Sequence, residues 1–280
     1  MIYLILALIC SSSLALILKQ GHVKNSNTIL LINGNYLTAS TIALIFIFFK
    51  YGFYYSPEVI LFGAALGILF AGTFVIYSKA ISLAGTALAT VSARLSVLIP
   101  VIFSIMFFDE TPKLNMLIGF IAALITLYFF YLSLKNHGTE SGRKGKYFYL
   151  ISLLIGIGLV DFSMKMFEQL FPAQEKGVFV FTIFFSAFIY TLIYLFAAKI
   201  KFDKPTYRLG LLLGLPNVFA IHFLLAALSE LPAIIVFPIQ NIGVIVITAV
   251  VAYLIWKEKI NLYGKIAIAF GIVAILLLKL

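Results

Sequence analysis

The sequence predicts an all-α membrane protein of ten transmembrane helices, arranged as two inverted five-helix repeats. Three observations lead there. The composition is 63% apolar and only 11% charged over 280 residues, where soluble domains hold about 45–50% apolar residues. The apolar residues gather into runs of roughly 18 to 24 residues, long enough as helix to cross a hydrocarbon core of about 30 Å. The second half of the chain also restates landmarks of the first.

The runs fall at 2–18, 28–49, 58–78, 85–108, 114–134, 147–170, 177–198, 207–228, 232–255 and 260–279. The first lacks the basic start of a signal peptide and continues to Leu18, so it reads as a span. The second, containing Ile42 to Phe49, is apolar at every position, which a β-barrel strand with its two-residue alternation would not be. Gly63 and Gly67 in the third, like Gly210 and Gly214 in the eighth, are spaced to let helices approach closely. Pro100 in the fourth and Pro238 in the ninth each remove a backbone donor and predict a break. Between the fifth and sixth runs, Lys135 to Lys146 (KNHGTESGRKGK) has no apolar periodicity and reads as a solvated connector. It separates a first repeat, 1–134, from a second, 147–280.

The repeat rests on paired landmarks. Ser13–Lys19 is answered by Leu159–Lys165, Gly63–Gly67 by Gly210–Gly214, Ala80–Ser82 by Ala227–Ser229 and Phe108–Glu110 by Trp256–Glu258, at offsets of 146, 147, 147 and 148 residues. Five spans per copy would place the copies upside down relative to each other, a plan common among secondary transporters. The polar connections are too short for a separate soluble domain, so activity is expected among the helices.

The net charge of +10 comes from lysines and arginines scattered through short connections, which in a membrane protein report topology rather than a nucleic-acid partner. Fourteen lie on one side and four on the other. By the positive-inside rule that distribution places both termini outside the cytoplasm. Cys10 is the single cysteine, so no intrachain disulfide is expected. His22, His137 and His222 lack ligand spacing, so neither a metal nor a cofactor is expected. Aromatic clusters such as Tyr51 to Tyr55 read as interfacial belt.

A charge at membrane depth is costly and marks a candidate site. Arg94, in the fourth run, and Asp161, in the sixth, are the deeply placed Arg and Asp. A guanidinium matches a carboxylate or phosphate with two hydrogen bonds, and a carboxylate takes an ammonium or a proton. Together they suit a zwitterion. The alternative is that they pair with each other and join two helices. Ser12, Ser13, Asn33, Tyr77, Asn217, His222, Gln240 and Asn241 are further candidates for contact with a substrate. For each, hydrogen bonding between helices is the competing role. Gly156 to Asp161 differs in spacing from the Gly-x-Gly-Asp of membrane aspartyl proteases, so intramembrane proteolysis stands as a distant alternative.

The stretch Ile76-Tyr77-Ser78-Lys79-Ala80-Ile81-Ser82-Leu83-Ala84-Gly85-Thr86-Ala87, continuing through Pro100 to Glu110, resembles the third-to-fourth helix signature of EamA-like members of the drug/metabolite transporter superfamily. Leu225–Ser229 through Lys257–Lys259 is similar to a second copy, and Lys19 and Lys165 close the first and sixth helices as that pattern does. The resemblance covers essentially the whole chain. It implies a ten-helix carrier working by alternating access; with the charges of Arg94 and Asp161 the expected function is movement of a small organic metabolite, amino-acid-like in character, across the cytoplasmic membrane. Its partners would be that substrate, membrane lipid and a coupling proton on Asp161, with proton-free exchange as the alternative. Both termini would be cytoplasmic, opposite to the lysine count. Ser11 to Ser13 stand where the family often carries Trp-Gly, and no carboxylate occurs between Met1 and Leu18, which disfavours polyaromatic-cation antiport. A lipid-carrier flippase of the same superfamily is the alternative function.

Overall fold

A computed structural model describes residues 1–23, 27–135, 145–256 and 261–279. Its helices are α1 (Ile2–Val23), α2 (Thr28–Phe46), α3 (Pro57–Leu95), α4 (Leu98–Phe107), α5 (Leu114–Lys135), α6 (Lys146–Leu170), α7 (Lys176–Ala197), α8 (Lys204–Leu228), α9 (Ala233–Trp256) and α10 (Leu262–Lys279). Among the described residues eight helical stretches are long and apolar enough to cross a membrane, and Ile2–Leu18 and Leu262–Leu278 are shorter apolar helices. Large apolar side chains such as Phe49, Leu61 and Leu114 are more than two-thirds exposed. A soluble protein would bury many of these side chains, whereas lipid solvates them. The chain is a multi-pass helical membrane protein. The connector core, 136–144, lies outside the described residues.

Helix starts follow capping chemistry. Asn27, Ser56, Asp203 and Asn261 precede α2, α3, α8 and α10, and their side-chain oxygens accept the amides of Leu30, Val59, Thr206 and Gly264. Pro57 then occupies the first position of α3, where no amide is needed.

α3 is longer than the hydropathy run predicts. Lys79 reads as the start of a loop, yet residues 79–84 carry helix formers and no breaker, so the helix continues to Gly85. There φ is 84° and the helix is interrupted, a conformation glycine adopts without a Cβ penalty. A second interruption falls at Ser96–Val97, between α3 and α4. It lies where Pro100 cannot donate to the Ser96 carbonyl, and Ile99 N–H donates there instead at 3.0 Å. Pro238, by contrast, sits inside an unbroken α9. A π-helical turn at Ile47–Tyr51 extends α2 and has no signal in the hydropathy pattern.

The chain divides into two compact units. One comprises Thr73–Lys165 and Ala227–Leu280, together with Met1, and the other Ile2–Gly72 and Met166–Ala226. Each unit draws on both halves of the sequence. In the first, α5 packs along α10 and α4 against α9, and Ser133 and Asn261 exchange hydrogen bonds of 2.7 and 2.9 Å across the α5–α10 side. In the second, α2 packs along α7, over a core of fully buried Ile32, Tyr36, Phe179, Ile183 and Phe184.

The paired glycines act in this second unit. A methyl group at Gly67 would come within 2.7 Å of the Ile183 carbonyl oxygen on α7, and one at Gly210 would strike the Leu31 carbonyl on α2. α3 therefore leans on α7, and α8 on α2.

Candidate functional site

The first unit gathers the deep charges. Arg94 stands in the last turn of α3, just before the Ser96–Val97 interruption. Its Nη1 donates to Oδ1 of Asn241 on α9 at 3.2 Å. Asn241 is buried, and its amide is steadied by donation to the Phe237 carbonyl at 3.1 Å. The Tyr77 hydroxyl on α3 and the Asp161 carboxylate on α6 are the charged or ionisable neighbours whose fields reach the guanidinium. Arg94 and Asp161 are not in contact, since no pair of their atoms falls within the 4.0 Å of an ion pair among the described residues. Both are half-buried.

An arginine carries five N–H donors. Among the described residues only one hydrogen bond from Arg94 is made. Among the described residues the carboxylate of Asp161 accepts none, although its helix neighbour Ser163 bonds back to the Leu159 carbonyl at 2.7 Å. Beside Asp161, Phe162 packs edge-on against Phe103 at 5.2 Å and lies next to Phe107 and Phe108. A cation and an anion thus stand apart, each with hydrogen-bonding capacity left over among the described residues.

One turn further along α6, Lys165 is buried and its Nζ lies 3.3 Å from Oε1 of Glu110. Glu110 follows Asp109, whose φ of 51° lies in the left-handed region that Asp tolerates. Both Glu110 oxygens accept the backbone N–H of Ala233 at 2.9 Å, the first residue of α9. A carboxylate is favoured at a helix N-terminus, where amides and the helix dipole point outward.

The other expected site residues behave differently. In the second unit, Asn33 donates to Thr191 Oγ1 at 3.0 Å and to the Phe188 carbonyl at 3.2 Å, fastening α2 to α7. Asn217 donates to Asn35 Oδ1 at 3.0 Å and fastens α8 to α2. His222 packs its ring against Phe46 and Phe223, while its backbone carbonyl accepts Lys176 Nζ at 3.0 Å. Ser13 bonds back to the Ile9 carbonyl at 2.9 Å. The buried Ser12 hydroxyl has no protein partner among the described residues. Gln240 neighbours Asn241 on α9 and has an interaction partner. Of the predicted residues, then, Arg94, Asp161, Tyr77 and Asn241 come together, while the asparagines of the second unit are occupied by helix-to-helix bonds.

Glu110 is the residue the sequence reading passed over. The available signal was Lys165 itself, an in-span lysine that needed a carboxylate partner. Among the described residues no group of three or more His, Cys, Asp and Glu could hold a metal ion.

No protein-family model matches the chain. Over 285 residues it is 30% identical to an uncharacterized protein of Haemophilus influenzae, covering 97% of this chain and 95% of that one. The chain belongs to the same family as that protein. A solved crystal structure shares its fold with a TM-score of 0.79 at 15% identity, over 99% of this chain and 98% of the other.

Proposed function

We propose that the protein is a secondary transporter that moves a small organic metabolite, amino-acid-like in charge pattern, by alternating access. The observation that carries this reading is the Arg94 guanidinium at membrane depth with one of its five donors engaged and Asp161 standing off from it. Buried ionisable groups in spans mark substrate or ion pathways. A carboxylate of the substrate would take the free edge of Arg94 in a bidentate pair, an ammonium would face Asp161, and the Phe162 cluster would shield both from lipid.

The helix pairing supports an inverted five-helix repeat. α2 meets α7, α4 meets α9 and α5 meets α10, so in each of these pairs a helix meets its counterpart five places on. The glycine contacts, α3 on α7 and α8 on α2, exchange with each other when each helix is replaced by its counterpart, α3 by α8 and α7 by α2. The two short apolar helices complete ten spans on this reading, and a membrane span made of helix rather than barrel fits a bacterial cytoplasmic membrane. The EamA-like resemblance accords with such a carrier. Its coupling would run through a proton on Asp161.

The test begins with purified protein and a thermal-shift screen against small metabolites, since a ligand bound by the folded state raises apparent stability. A compound that stabilises wild type and not R94Q, and that enters proteoliposomes only with wild type, supports the reading. If every stabilising compound acts equally on R94Q, Arg94 is not the binding group.

A further inference from the structure

The side chains around α6 form a charge line rather than a single site. Asp161 and Lys165 are four residues apart on one helix, with the acid N-terminal to the base, the spacing and order in which side chains of a helix meet most favourably. In the present arrangement Lys165 is committed elsewhere, to Glu110 at 3.3 Å. That same Glu110 holds the first amide of α9 through both of its oxygens. α9 also carries Asn241, the partner of Arg94. A single helix is therefore tied at its first turn by the Lys165–Glu110 pair and at its middle by the Arg94 site.

Asp161 draws its countercharge from Arg94 across a gap, without a hydrogen bond among the described residues. An anionic group seated on Arg94 would neutralise that guanidinium and, until an ammonium reaches Asp161, leave Asp161 uncompensated in a low-dielectric environment, which is costly. The nearest cation on its own helix is Lys165. If Lys165 turns to Asp161, Glu110 loses its countercharge, and the carboxylate that caps α9 becomes the uncompensated group in turn. Each step follows from the preference of a buried charge for a partner.

We propose that Lys165 is a shared cation that couples the seating of an anionic group on Arg94 to release of the Glu110 lock on the start of α9. The inference rests on the transport reading of that site, but its test needs no substrate. Neutralising Arg94 by mutation stands in for neutralising it with a ligand anion, and the lock is read by the exposure of Ala233, which is fully buried and bonds to Glu110 through its backbone amide. Coupling of this kind is a difference in stability between two arrangements that both ends of the chain of charges bias.

In a Cys10→Ala background, Ala233→Cys introduces a protected thiol, and its reaction with a water-soluble maleimide in detergent-solubilised protein reports opening. E110Q is expected to speed labelling by about ten-fold or more, because it removes the charge that holds the lysine. R94Q is expected to speed it several-fold, and R94Q/D161N to return it to the starting rate, because the neutral Asn no longer draws Lys165 away. K165R should label as slowly as the parent. Where E110Q does not yield folded protein, K165M tests the lock with the same readout.

An unchanged rate in E110Q or K165M overturns the lock. A raised rate in E110Q with none in R94Q overturns the coupling. If both rates rise while no metabolite binds or crosses, the coupling stands and the transport reading fails separately.

Discussion

Two polar regions lie at membrane depth in this protein, and they solve the same problem in opposite ways. On α2, α7 and α8, Asn33, Thr191, Asn35 and Asn217 spend their donors and acceptors on one another. Around Arg94 and Asp161, charge is placed within helical spans and, among the described residues, left with bonding capacity in hand. The first arrangement is uncharged, closed and reinforced by glycine contacts too tight for a methyl group. The second has charged groups that do not touch. Polar residues in this protein thus divide by their partners: amides bonded to the amide or hydroxyl of another helix fasten helices, and charges held apart from each other are the candidates for binding.

That division predicts which substitutions damage function and which damage the fold. The largest effect is expected from R94Q. Two charge-assisted hydrogen bonds of about 1.5–3 kcal/mol each would be lost to an anionic substrate, so flux in proteoliposomes should fall at least about 100-fold. Apparent thermal stability should change far less than flux, since removing a half-satisfied buried charge offsets part of the cost of leaving Asp161 without its countercharge. A large fall in stability instead would place Arg94 with the fastening residues and erase the contrast.

G210A should do the reverse. Its methyl group meets the Leu31 carbonyl, which is backbone and cannot swing away, and overpacking of that kind costs about 1–3 kcal/mol. Thermal melting of the purified protein should show the loss, with transport per folded molecule retained. N217L removes the donor to Asn35 and should cost about 0.6–1.7 kcal/mol by the same measurement, the range found for hydrogen bonds between membrane helices. If N217L abolishes transport at unchanged stability, Asn217 belongs with the binding residues.

The smallest effect is expected at Asp203, outside the spans. Hydrogen bonds from the side chain and then the backbone N–H of Thr206 hold its carboxyl below the usual carboxylate range. A carboxylate whose folded pKa is depressed stabilises at pH values above its unfolded pKa of about 3.9, and that contribution is lost as pH falls through the lower folded value. Melting curves from neutral pH to pH 3 should show a slight acid-side decline in wild type that D203A lacks.

The division was only partly legible in the sequence. Hydropathy finds the spans because lipid imposes length and composition together, and the capping residues Asn27, Ser56, Asp203 and Asn261 stood in plain view before their helices. Lys79 misled the placement of one helix end, because charge alone does not stop a helix and Gly85 does. Arg94 and Asp161 announced themselves by rarity. The tie between Glu110 and Lys165 could not be read, since 55 positions separate them and only folding makes them neighbours. Nor could Asn33 be told from Asn241 by type: each is a buried amide, and partners alone distinguish fastening from holding an arginine.

The continuation of the third helix to Gly85 bears on the bilayer itself. Pro57–Gly85 contains 29 residues, a helix about 43 Å long at 1.5 Å per residue, against a hydrocarbon thickness of about 30 Å. Such an excess is absorbed by tilting or by projecting into the headgroups. Projection would put Lys79, about 9 Å before Gly85 along the helix, among lipid phosphates. Thinner lipids would steepen the tilt and thicker ones relax it, carrying the Gly85 break with them. Membrane thickness is therefore a physical variable that reaches the turn from which the helix bearing Arg94 departs.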